Sequence, residues 1–174
     1  MRIIVPAVLL LIFGLTSCSE RIVDPPDYTG RQIEYELFQG SDYEYTGKLI
    51  VREYPDKGIE LLIQLSGNGT LTSSIEYPAH LHFGSYDNPD APMAFMLNPV
   101  KSLTLSSETR LGELADGTTL DFESFQNFEG HVKVHLANEG PDYKVILVAG
   151  NVGALVEETS NFDALQIATC SSNF

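Results

Sequence analysis

All four histidines of the 174-residue chain fall in two short stretches, His80-Leu81-His82 and His131-Val132-Lys133-Val134-His135. Neutral imidazoles suit copper, zinc, iron and nickel, so such clustering raises metal binding as the first chemistry to consider. On a strand, residues two apart share a face, which lets His80 and His82 point at one atom. His131 and His135 sit about 13 Å apart at about 3.3 Å per residue, so only one of them is expected to join that pair. The other, His131, is expected to be an ordinary surface residue. The competing reading treats the histidines as polar-face residues satisfied by backbone carbonyls. No serine or cysteine sits in a nucleophile motif beside a histidine, and neither a phosphate-cradling glycine loop nor a Cys-x-x-Cys pair occurs.

The elements that must position these residues read as strands. Ile33, Tyr35 and Leu37 alternate with polar neighbours, as do Ile59, Leu61, Ile63 and Leu65, and then Val132, Val134 and Leu136. Turn signals punctuate the chain at short intervals: Gly40-Ser41-Asp42, Pro55 to Gly58, Gly67-Asn68-Gly69, Asp87-Asn88-Pro89, Asp116-Gly117, Asn138 to Pro141 and Gly150-Asn151-Val152-Gly153. This pattern predicts an all-β, antiparallel sandwich or barrel over residues 31–174, a single domain. A short helical turn within Glu157 to Leu165 is the only helical signal.

Twenty-four acids against ten Lys and Arg give a formal charge of −14, which repels nucleic acid and anionic lipid head groups. The acids are spread along the chain and read as a solvated surface. Ahead of the domain, Arg2 and the apolar run Ile3 to Phe13 lead into Leu15-Thr16-Ser17-Cys18, a stretch too short to span a bilayer. That tetrad resembles the bacterial lipobox. The resemblance implies a signal peptide over 1–17, lipidation of Cys18, and a mature protein held to a membrane by its acyl chains. Residues 18–30, centred on Asp24-Pro25-Pro26-Asp27, are expected to be a flexible tether. Ser19 after Cys18 resembles sorting to an outer membrane of the bacterial cell envelope. Cys170 is then the only thiol left, so no internal disulfide is expected.

Several segments, in order from about Gly47 to Cys170, resemble the Cu/Zn superoxide dismutase family. They are Ile59 to Gly67, His80-Leu81-His82-Phe83-Gly84 with Asp87, Met96-Leu97-Asn98-Pro99, Thr109 to Leu114, Val132-Lys133-Val134-His135, Gly150-Asn151-Val152-Gly153 and Ala168-Thr169-Cys170. The resemblance implies a Greek-key antiparallel β-sandwich and places His80, His82 and His135 at three copper-ligating positions. Met96 stands where that family has its bridging histidine, Arg110 where it has a zinc histidine, and Glu113 where it has the zinc aspartate, so copper without zinc is the implied cofactor. The family's active-site arginine has no counterpart, because Ala154 to Glu158 follow the Gly-Asn-Val-Gly segment, so a working dismutase is not expected. A thioether favours Cu(I), which makes Met96 a candidate fourth ligand, with Met93 three residues earlier as its substitute. Otherwise Met96 fills the space of the lost imidazole as core. Residues Ala79 to Gly84 and the later Val-His strand are also similar to the chordin-type (CHRD) extracellular domain. That likeness implies a non-catalytic binding or structural module of the envelope with no metal. Neither likeness names a protein partner.

Overall fold

The computed structural model describes residues 28–67, 74–156 and 161–169. Cys18, the leader before it, most of the expected tether and Cys170 lie outside the described residues. Among the described residues eight strands follow one another: β1 Gln32–Gln39, β2 Thr46–Glu53, β3 Ile59–Ser66, β4 Glu76–Phe83, β5 Met93–Lys101, β6 Ser106–Arg110, β7 Glu129–His135 and β8 Ile146–Gly153. One five-residue helix, α1 Phe122–Gln126, precedes β7, and its N-cap Asp121 exchanges side-chain and backbone bonds with Ser124 in a capping box. Turns of 3-10 helix occupy Pro141–Lys144 and Ala164–Gln166, the second overlapping the expected helical turn.

The all-β class expected from the alternation is present. All strand pairs are antiparallel and join into one closed barrel in the order β1-β2-β3-β6-β5-β4-β7-β8, rather than into two separate sheets. Closure removes the free edges that an open sheet would offer to other chains. Two seams are thin. β1 meets β8 only through Phe38↔Ala149 and Gln39↔Val148, and β5 meets β6 in register only at Lys101↔Ser106. At the second seam Asn98 takes over, its backbone N–H donating to Thr109 Oγ1 at 2.9 Å and its Nδ2 to the Glu108 carbonyl at 2.6 Å.

The period of two decides which side chains fill the barrel. Leu49 and Val51, Ile59 to Leu65 by alternate residues, Tyr77, Ala79 and Leu81, and Val132 and Val134 share one hydrophobic core with Phe122, Phe125 and Phe128. Their intervening neighbours on β4 and β7, among them all four histidines, therefore point away from that core. A smaller cluster of Tyr86, Ile146 and Ala149, with Phe162 and Ile167, covers part of this outer surface.

Gly150 to Gly153, which look like a turn in the sequence, are the second half of β8. The glycine at 150 answers a different need: a Cβ there would lie 2.3 Å from the Glu36 carbonyl of β1, so only a residue without a side chain lets the two strands approach. The last residues of the expected tether are fastened to the barrel. Tyr28 Oη donates to Glu60 Oε1 at 2.7 Å and Thr29 Oγ1 to Glu53 Oε2 at 2.8 Å, while the Arg31 guanidinium lies 4.4 Å over the Phe122 ring.

Candidate metal centre

Register brings the two histidine motifs side by side. β4 pairs with β7 through Ala79↔Val134, His80↔Lys133, Leu81↔Val132 and His82↔His131. Because the core takes Ala79, Leu81, Val132 and Val134, the opposite face of the same two strands carries His80, His82, His131, Lys133 and His135. Ordinarily such a face meets water. Here all five side chains are buried, because residues 84–92, the 3-10 turn at Pro141–Lys144 and the segment around Ala168 fold over it.

The imidazoles form a row. His135 lies 5.0 Å from His80, His80 5.9 Å from His82, and His82 4.8 Å from His131, measured between ring centroids. Each end of the row is a parallel stack, His131 on His82 at 6° and Tyr143 on His135 at 5° and 4.4 Å. The expectation that His131 lies on the surface is therefore corrected: it is 0% exposed. Spacing keeps His131 and His135 from reaching one point, and the register sets each against a different member of the first pair.

Three rings are held by main-chain carbonyls. His82 Nδ1 lies 3.3 Å from the Ala91 oxygen, His131 Nδ1 2.7 Å from that of Gly84, and His135 Nδ1 2.7 Å from that of Tyr143. A carbonyl only accepts, so Nδ1 carries the proton in each ring and Nε2 keeps its lone pair. Burial holds the rings neutral. Desolvation pulls the His82 and His135 pKa values down to about 4 and that of His131 to about 3, against which the carbonyl bonds work only in part. The same cause lowers His80. The Lys133 ammonium, which donates to the Ala168 carbonyl at 2.7 Å, adds a smaller push in the same direction on the other three.

Neutral imidazoles with a fixed tautomer are what a soft or borderline metal ion requires of histidine ligands. A ring nitrogen ~2.0 Å from an ion puts its ring centroid ~3.2 Å away, so two ligating imidazoles have centroids ~4.5–6.4 Å apart for angles between right and straight. The His80–His135 and His80–His82 separations of 5.0 and 5.9 Å fall within that window. Among the described residues, however, no group of three or more His, Cys, Asp or Glu side chains is already arranged as a metal-holding set. Each of those two pairs has the ring spacing of imidazoles that share an ion.

Met96 faces His80 across the β4–β5 register and Met93 faces His82. Met96 is 61% exposed, so it is not a core residue filling the space of a lost imidazole. It lines, with His80, Glu76, Pro78, Asn138 and Tyr143, a pocket of about 460 Å³. Met96→Leu is accordingly expected to change stability by less than ~0.5 kcal/mol in urea unfolding, as exposed substitutions do. Arg110 is engaged elsewhere, in an ion pair with Asp56 and over the Tyr54 ring at 4.5 Å, and Glu113 is exposed. No model of a known protein family matches the chain, and no curated protein or solved structure matches it.

Proposed function

We propose that this protein holds a copper ion on the outer face of its barrel through His80, His82 and His135, with Met96 as a further donor at the pocket mouth, and with no zinc. The observation that carries the reading is the set of buried, neutral imidazoles on that face, with the His80 ring 5.0 Å from that of His135 and 5.9 Å from that of His82 between centroids. Copper would supply redox or metal-handling chemistry; the chain's own residues bind and orient it and keep water from the ring edges. The strand order, in which β4, β5 and β6 follow one another and β6 lies beside β3, is one that a Greek-key fold would have, which supports the reading. No dismutase step is assigned, since the arginine and bridging histidine of that family are lacking in the sequence. The leader residues support the rest of the reading, a protein lipidated at Cys18 and anchored to the outer membrane of a bacterial envelope.

A second reading, a metal-free envelope module of the chordin type, is favoured by Lys133. A buried cation on the histidine face opposes a metal ion there. One experiment separates the two. The full chain, purified without a metal-binding tag, is expected to take up one equivalent of copper, and His82→Ala is expected to lose it while keeping the parent's circular dichroism. Uptake of none by the parent protein would establish the metal-free module.

A further inference from the structure

We infer that His131 is a positioning residue for His82: it fixes the plane of the His82 ring, and so the direction of its Nε2, without itself binding the ion. The inference rests on the copper reading for its functional meaning and on geometry for its substance. The two rings come from residues directly opposite in the β4–β7 register and lie 4.8 Å apart with planes only 6° from parallel. A metal bound to an imidazole lies close to the plane of that ring, along the nitrogen lone pair. Two stacked rings have no such position in common, so an ion on His82 is out of line for His131.

What the stack does is restrict rotation. Among its main-chain contacts, to Ala91 and Pro92, His82 has a moderate anchor in the 3.3 Å bond from Nδ1 to the Ala91 carbonyl. His131 has a firmer one, 2.7 Å to Gly84 at the other end of the same loop, and is fully buried. Its backbone has little freedom too. Gly130 before it runs so close to its surroundings that a Cβ would lie 2.6 Å from the His82 carbonyl and 2.0 Å from the Phe128 ring. His131 is thus a rigid plate, and His82 can turn about χ2 only by leaving it. The plate holds His82 at 68° to His80. His135 has its own plate in Tyr143, so the two outer members of the proposed ligand set are each braced by a parallel ring and His80 stands between them.

The test uses two substitutions, His131→Phe, which keeps a ring to stack and removes both nitrogens, and His131→Ala, which removes the ring. In the copper-loaded full chain, His131→Phe is expected to keep the parent's Cu(II) electron paramagnetic resonance spectrum, nitrogen couplings included. His131→Ala is expected to bind copper about 10-fold more weakly, with a shifted spectrum. Loss of one nitrogen coupling in His131→Phe would overturn the inference and make His131 a ligand. A parent-like His131→Ala would overturn it and make His131 a bystander. The metal-free proteins give a second readout, independent of copper. The ¹⁵N shifts of the His82 imidazole are expected to report one Nδ1–H tautomer in the parent and in His131→Phe, and an averaged one in His131→Ala. If the parent binds no copper the reading on which this rests fails, yet the same shifts still decide whether His131 fixes His82, and an unchanged His82 in His131→Ala decides against it.

Discussion

Between pH 8 and pH 5 the protein is expected to lose roughly 6 kcal/mol of folding stability, a large share of what a domain of this size has. The sign follows from the direction of the shifts. In the unfolded chain a histidine titrates near 6.5; in the barrel His82 and His135 titrate at about 4 and His131 at about 3. Above pH 6.5 both states are neutral and the stabilising difference is fully present. As pH falls below 6.5 the unfolded state takes up protons that the folded state refuses, and each of the three histidines costs about 1.4 kcal/mol per pH unit until its folded pKa is reached. At pH 5 that is about 2 kcal/mol each. His80, lowered as well, acts in the same sense. Further down, the carboxylates of Glu53, Asp56 and Asp121 contribute again in that sense. Hydrogen bonds from Thr29, Arg110 and Ser124 hold their pKa values low, so their stabilisation is present above the ordinary carboxylate range and lost below it. Urea unfolding at pH 7, 6 and 5 checks this, and a midpoint that does not move over that range would show that the histidines are hydrated and not sealed under their loops.

Gly153→Ala is expected to cost more than ~4 kcal/mol and to leave little folded protein. Gly153 ends β8 with φ of +64°, and a Cβ added there would lie 2.0 Å from the Phe128 carbonyl and 2.7 Å from that of Phe125. Both obstacles are main chain at the end of α1 and the start of β7, and the Phe128 carbonyl also accepts the N–H of Ala154 at 2.9 Å. Relief would mean pulling β8 from β7, whose pairing carries the histidine face. Gly117 provides the control, because its φ is +86° with nothing within 4 Å of the added atom. Gly117→Ala is expected to cost about 1–2 kcal/mol from backbone conformation alone, measured by thermal or urea unfolding beside the first variant. Equal costs in the two would mean that the close approach at Gly153 is of no consequence.

Alternation made β1, β3 and β7 legible in the sequence because each has one face in the core and one outside it. β2, with Leu49, Ile50 and Val51 in succession, was less visible, and β8 was cut short where glycines serve close packing and not a bend. The site was half legible. His80 and His82 share a face by spacing alone, and the resemblance picked out His135. What hid His131 is that its burial comes from residues 84–92, some forty positions back along the chain, and that its partners are the Gly84 oxygen and the His82 ring. No local pattern encodes a main-chain carbonyl arriving from a distant loop. A polar face on a strand reads as wet unless something is known to fold over it, and the strand pattern cannot say what does.

The bonds that fix the tautomers of His82, His131 and His135 all end on peptide oxygens, those of Ala91, Gly84 and Tyr143. Every amino acid carries that oxygen, so changing a side chain in the covering segments cannot delete the acceptor; only a change in the path of the backbone can. The covering loops are consequently free to diverge in composition while the imidazoles keep their orientation, and the positions where drift is forbidden are the few, such as Gly84 with its φ of +71°, that set the course of the chain. Insertions and deletions, more than point substitutions, are the changes this site cannot absorb.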